Sequence, residues 1–388
     1  MYITSTKLSN GLKYHEYKSK NENVFCSLTV RAGSLCDIVH GTAHFVEHLL
    51  LSFVKKYGIN YEKEIPVTGK TSFDRTSYYF ACNKTRLGEV INFIKIIIGG
   101  MYLREEYFES VKNDILNEYK FCNDIIQREQ MFLSKVSGTL NSFIPIGTID
   151  SIKSVSFDDV KNYFNKEYRI DNMLMVICGD VENRFIDEQI NLPIKSIEKI
   201  NSQPIMKTQF NSNIKVNNDN EIFFPISYAP FINNGEIYDY LSVFLITHIL
   251  SDFSSDEIIH VGIKEYTKNI RYISIKINRK ISVYRLLSFL RKRLLGIQKQ
   301  KIDIEWIKNE IVNKLLLQIN EPWMLDRIED FYIYETDYYD VYNAIQHLHS
   351  LCFDEIKIVI SNLFKMNPLL LEKKDNRIFI KELNEWSV

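Results

Sequence analysis

The sequence predicts an α+β fold built twice: two homologous halves, each a mostly antiparallel sheet packed with helices. Three observations lead there. Segments recur at one fixed offset, each half interleaves strand-like and helix-like patterns, and the length of 388 residues suits two domains of ordinary size.

The repeat comes first because it organises the rest. Residues 112 to 118, KNDILNE, align with residues 308 to 314, KNEIVNK, at an offset of 308 − 112 = 196. The same offset brings Phe93-Ile94-Lys95 onto Phe289-Leu290-Arg291, and Phe157-Asp158-Asp159-Val160-Lys161 onto Phe353-Asp354-Glu355-Ile356-Lys357. Three matches at one ungapped offset, close to half the chain, argue for a duplicated domain. The expected division is a first domain over 1–190, a linker over 191–215 carrying Pro193 and Pro204, and a second domain over 216–388.

Within the first half, Val24 to Ala32 (VFCSLTVRA) reads as a strand and Gly41 to Tyr57 as a helix. Thr71 to Cys82 (TSFDRTSYYFAC) is rich in β-branched and aromatic residues and reads as a second strand. Leu87 to Ile98 and Glu105 to Ile126 read as helices, and Met173 to Cys178 as a further strand. Helices grouped between strands suggest α+β layering.

Composition narrows the function. With 48 basic and 49 acidic residues the net charge is -1, which gives no global electrostatic case for nucleic acid or an anionic membrane as partner. No run of eighteen apolar residues occurs, and the N-terminal stretch MYITSTKLSNGLKYHEYKSK has no apolar core of the kind a signal peptide needs. Cysteines 26, 36, 82, 122, 178 and 352 form no Cys-x-x-Cys pair and read as free thiols, so a cytoplasmic location is expected.

The chemistry concentrates in GTAHFVEHLL, residues 41 to 50. On a helix, positions i, i+3 and i+4 share a face, so His44, Glu47 and His48 project together. Two imidazoles so spaced can bind one Zn²⁺, with the carboxylate beside it able to take a proton from water. This is the H-x-x-E-H order, a zinc-protease pattern. The alternative is three polar residues on an ordinary, partly exposed helix.

A catalytic zinc needs a third protein ligand. In EEYFESVKNDILNEYKFCNDII the apolar positions Phe108, Val111, Ile115, Tyr119 and Cys122 follow helical spacing, and Glu118 falls on the edge of that stripe. A carboxylate there is costly unless paired or metal-bound, though a long side chain also reaches water readily. The repeat bears on the choice: the offset sets Tyr240, Val243, Phe244 and Lys314 opposite His44, Glu47, His48 and Glu118. All four groups are present in one copy and missing from the other.

At these residues the chain resembles the M16, or pitrilysin-like, metallopeptidases. Ala32-Gly33-Ser34, GTAHFVEHLLLSF, TGKTSFDRTSYYF and DILNE stand in that family's order for its aGS, GxAHxxEHxxF, NAYTSxDxTxYYF and VxLxE segments. The resemblance implies His44, His48 and Glu118 as ligands of one zinc per chain and Glu47 as general base. It further implies two homologous α+β halves, paired chains enclosing an unfolded peptide, and peptide binding along the sheet edge near Thr68, Gly69, Lys70, Thr71 and Ser72. The length points to the short, processing-peptidase-like branch.

Two departures stand out. Where the family often has asparagine and alanine on the edge strand, this chain has Thr68-Gly69-Lys70. Where active chains offer an arginine and, seven residues later, a tyrosine for substrate, IHVGIKEY offers Tyr266 but places Ile259 at the arginine position. The expected function is therefore a zinc endopeptidase acting on short or unfolded peptides as the catalytic subunit of a dimer. A paralogous M16-like partner would supply the Arg/Tyr pair in a heterodimer, a homodimer being the other arrangement. The rival is a non-catalytic M16-like scaffold or recognition subunit. His347, His349, His260 and Trp306 take structural readings.

Overall fold

The computed structural model describes residues 3–18, 23–52, 65–137, 143–179, 181 and 186 of the first half. In the second half it describes 220–225, 245–247, 249–250, 258–267, 270–277, 282–299, 304–318, 329, 341–350, 352–365, 367–374 and 377–383. The expected linker over 191–215, together with Tyr240, Val243 and Phe244, lies outside the described residues. The chain divides into two compact units. The first takes Met1–Ile126, Thr139–Met206 and Asn320–Thr336, and the second takes Gln127–Gly138, Lys207–Ile319 and Asp337–Val388.

In the first unit the strands are β1 (Ile3–Lys7), β2 (Lys13–Tyr17), β3 (Asn23–Val30), β4 (Val67–Thr71), β5 (Thr76–Asn83) and β6 (Met173–Cys178), in the spatial order β1-β2-β6-β3-β5-β4. Only β2 with β6 is parallel; the other neighbours run antiparallel. β6, with the sequence MLMVIC, is buried at every position, because a central strand covered on both faces has no solvent side to fill with polar residues. The unit's helices are α1 (Thr42–Leu50), α2 (Leu87–Ile98), the first two thirds of α3 (Glu105–Val136), α4 (Ile149–Ser154) and α5 (Phe157–Glu167). α2 packs on β3 and β5, and α1 packs on β4 and α5.

The second unit holds β7 (Asn220–Pro225), β8 (Ile258–Thr267), β9 (Ile270–Ile277), β10 (Leu369–Lys374) and β11 (Arg377–Glu382), in the order β11-β10-β7-β9-β8, all antiparallel. Its longer described helices are α6 (Val283–Lys299), α7 (Ile304–Gln318), α8 (Val341–Ser350) and α9 (Phe353–Lys365). The duplication is visible in three dimensions. β6-β3-β5-β4 of one sheet and β10-β7-β9-β8 of the other follow one plan, and Met173–Cys178 recurs as Leu369–Lys374 at the offset read from sequence. α5 and α9 both begin at the repeated phenylalanine. Ser156 and Asp159 make a reciprocal cap on α5, whereas in α9 only the carboxylate half survives, Glu355 accepting from the Cys352 N–H at 2.8 Å.

Two expectations are corrected, and a third lies partly outside the described residues. The stretch 71–82 is not one strand but the end of β4, a turn and β5, because the Ser72 amide donates to the Arg75 carbonyl and turns the chain over Phe73-Asp74. The helix expected to stop at Ile126 runs to Val136. Gln127 to Gln130 are good helix formers, and Phe132, Leu133 and Val136 then resume an apolar stripe that is buried. The helix expected over 41–57 is described as far as Leu50, with the part beyond residue 52 outside the described residues.

The two short motifs on either side of the hairpin explain each other. A side chain at Gly33 would place Cβ 2.2 Å from the Ser72 carbonyl oxygen and 2.6 Å from the Arg75 nitrogen. Glycine is needed there for close approach. The Ser34 and Leu35 amides donate to the Ser72 and Phe73 carbonyls, and the Thr76 and Tyr163 hydroxyls donate to the Ala32 and Gly33 carbonyls. The residues Ala32-Gly33-Ser34 and the SFDRT turn are thus one structural element.

Candidate metal centre

α1 presents the H-x-x-E-H face inward. His44, Phe45, Val46 and Glu47 are all buried, and His48 is half-buried. Phe45 stacks on Phe108 of α3 with ring centroids 5.5 Å apart, so the apolar side of α1 fixes its distance from the helix that carries Glu118. Phe108, Val111, Ile115 and Tyr119 form the buried stripe of α3, and Glu118 sits beside it with its side chain 42% exposed.

The three predicted ligands converge. His44 Nε2 and His48 Nε2 are 3.1 Å apart, and Glu118 Oε2 lies 3.4 Å from His48 Nε2 and 3.8 Å from His44 Nε2. An ion bound tetrahedrally at about 2.0–2.1 Å holds its ligand atoms about 3.3–3.4 Å from one another. The observed separations bracket that value, and two imidazoles with one carboxylate are a catalytic zinc donor set, so the residues fit the metal. Among the described residues this is the only His/Cys/Asp/Glu group so arranged.

Electrostatics favours the same use. Burial, reinforced by His48, pushes His44 down to about 3, so it is a neutral ligand at ordinary pH. The hydrogen bond from His48 holds Glu118 below the usual carboxylate range. Burial raises Glu47, which makes it a better proton acceptor once ionised; the His48 and Thr71 contacts oppose that shift.

β4 completes the site. It ends the sheet order, pairing with β5 alone among the described strands. Along it Val67, Gly69 and Thr71 are half-buried while Thr68 and Lys70 are exposed, the alternation of a strand with one face covered. The covered face meets Glu47. Thr71 Oγ1 donates to Glu47 Oε2 at 2.6 Å, and a Cβ at Gly69 would lie 2.3 Å from Glu47 Oε1. Gly69 therefore makes room for the carboxylate and Thr71 aims it. These two roles toward Glu47 were missed from sequence, although period-two spacing put both residues on one face. Ser72 follows in the turn, its carbonyl taken by Ser34.

Tyr266 lies in the second unit on β8, 8% exposed, where its hydroxyl donates to Glu129 and its ring stacks on Phe132 at 5.5 Å. Ile259 is on the same strand, and Lys314 is on α7, the counterpart of the helix carrying Glu118. His260 and His349 are exposed, and the side chains of His347 and Trp306 are outside the described residues.

The family described as Insulinase (Peptidase family M16) matches residues 14–139. The chain is 25% identical over 231 residues to the probable zinc protease PqqL of Haemophilus influenzae, covering 54% of this chain and 25% of that protein. It is 25% identical over 222 residues to the probable mitochondrial-processing peptidase subunit beta of Arabidopsis thaliana, covering 54% and 41%. It is also 24% identical over 191 residues to the bovine (Bos taurus) cytochrome b-c1 complex subunit 1, covering 46% and 40%. The matched stretch thus spans less than half the length of each of these relatives. Among solved structures, a protease from Helicobacter pylori superposes with a TM-score of 0.71 at 16% identity, covering 93% of this chain and 96% of that one.

The fold is that of the M16 peptidases, and the site is a His-His-Glu cluster with a carboxylate poised beside it. Residues 14–139 match peptidase family M16, and the proteins the chain is similar to include a processing-peptidase subunit.

Proposed function

We propose that this chain is a zinc-dependent endopeptidase that hydrolyses short or unfolded peptides, binding one zinc ion through His44, His48 and Glu118. The observation that carries this is the convergence of those three donors beside a buried Glu47 aimed by Thr71. Bound zinc would supply Lewis acidity, making water a nucleophile near neutral pH and stabilising negative charge on the scissile carbonyl. The chain's own residues do the rest. Peptide adds a strand beside β4, the last of the described strands in its sheet, main-chain hydrogen bonds setting its register and the exposed Thr68 and Lys70 meeting its side chains. Glu47, ionised, takes a proton from the attacking water and returns it to the leaving amine, while Gly69 keeps the space that this carboxylate occupies.

The test is Glu47→Gln, which keeps shape and removes the base. Metal analysis should still find one zinc per chain while peptide cleavage falls by about 10²–10⁴-fold. Undiminished cleavage would overturn the role given to Glu47.

In the same reading the active form is a heterodimer with a paralogous M16-like subunit that supplies an Arg/Tyr pair. Ile259 at the arginine position and the engagement of Tyr266 with Glu129 support it, and a homodimer is the outcome to set against it. The spacing of the six cysteines, with no Cys-x-x-Cys pair, supports a cytoplasmic, reducing setting. The second reading is a non-catalytic subunit of a larger assembly. Likeness to a cytochrome b-c1 complex subunit favours it, and a purified chain without zinc would decide for it.

A further inference from the structure

Seven residues before the first histidine lies a buried acid that the proposed reaction does not use. Asp37 is 8% exposed, and its two oxygens are both engaged: Oδ2 accepts from the Gly41 N–H at 2.7 Å and Oδ1 from the Ala43 N–H at 2.8 Å. The Thr42 amide between them donates to the Val39 carbonyl at 3.1 Å. The N–H groups in the first turn of a helix have no partner within the helix, and the N-cap of α1 is Gly41, which has no side chain to offer. Asp37 supplies the missing acceptor from four residues upstream.

The same turn is held from its other side. Gly41 has φ +96, and a Cβ there would approach the Ile146 carbonyl oxygen to 3.2 Å, so the helix start is seated against the Ile146–Gly147 backbone. The phenol of Tyr163 on α5 lies near enough to feel the Asp37 charge. Burial pushes Asp37 up to about 7, with the backbone hydrogen bonds offsetting only part of the cost.

α1 is a helix of nine residues, and His44 is its third, within the first turn. The phase of that turn therefore sets where His44 stands against His48 and Glu118. We propose that Asp37 is a positioning residue of the metal centre, its two oxygens clamping the Gly41 and Ala43 amides so that His44 is held in register with the other two ligands. This rests on the zinc reading given above.

The experiment is zinc titration of the purified full chain and of Asp37→Asn, alongside thermal unfolding at pH 8 and the visible absorption of the cobalt-substituted proteins. Asparagine keeps one acceptor, turns an NH₂ toward the other amide, and removes the costly charge. The expected result is a melting temperature within a few degrees of wild type, with zinc affinity lower by about tenfold and a shifted cobalt spectrum. A merely structural cap would lower the melting temperature and leave zinc affinity alone. Should Asp37→Asn fail to fold, Asp37→Glu keeps the charge but moves the oxygens by one methylene, and it should also weaken zinc. Wild-type zinc affinity in either folded variant overturns the proposal while leaving the zinc reading intact. A wild-type chain that takes up no zinc overturns the zinc reading, and this inference with it.

Discussion

Replacing Thr71 by valine removes one hydroxyl at nearly constant volume and leaves every metal ligand in place. That hydroxyl donates to Glu47 Oε2 at 2.6 Å, a short bond to a carboxylate that is 5% exposed. Hydrogen bonds to charged groups contribute about 1.5–3 kcal/mol, so losing this bond should raise the Glu47 pKa further. The sign follows from the causes: burial already raises Glu47, and Thr71 opposes the rise. Glu47 must be ionised to accept a proton, so the acid limb of kcat/KM against pH should move upward. Well below the wild-type limb, activity should fall about ten- to a hundredfold, with little change on the alkaline side. Cleavage of a quenched fluorescent peptide across the pH range measures this, and metal analysis confirms that zinc is retained. An acid limb that stays in place in a zinc-loaded Thr71→Val protein would refute the reasoning that Thr71 holds the ionised base.

Other outcomes follow from the same geometry. His48→Ala removes a nitrogen 3.1 Å from His44 Nε2 and should abolish stoichiometric zinc in metal analysis while leaving the far-UV circular dichroism unchanged. Gly33→Ala places a methyl 2.2 Å from a backbone carbonyl oxygen that cannot rotate away; the cost should be about 1–3 kcal/mol, read as a lower melting temperature. Phe132→Ala empties the centre of an aromatic cluster with Phe223 at 4.3 Å and Tyr272 at 4.9 Å, and denaturant unfolding of the second unit should show a loss of about 3–5 kcal/mol.

Much of this was legible in one dimension because it depends on periodicity. The face shared by His44, Glu47 and His48 is a property of any α-helix, and the edge position of Glu118 follows from where Val111, Ile115 and Tyr119 must point. The duplication was legible because paired helices and strands kept their lengths, as Met173–Cys178 and Leu369–Lys374 show. The hairpin at 72–75 was not. Its signal, Ser-Phe-Asp-Arg, contains neither glycine nor proline, and the turn is held from outside by Ser34 and Leu35. The length of α3 was missed for a related reason: its last turns are polar until Phe132, whose burial comes from strands far along the chain.

By itself, the sequence determined which groups can meet a metal, through the spacing of two histidines and a glutamate on regular helices, and it determined that one half carries them and the other does not. Only the tertiary structure decided how close those groups come and what holds them there. A separation of 3.1 Å between two imidazole nitrogens, a threonine aimed at the base across 24 residues and a glycine that leaves room for it depend on how α1, α3 and β4 pack. Packing sums many weak contacts from distant parts of the chain, and local spacing carries no record of that sum.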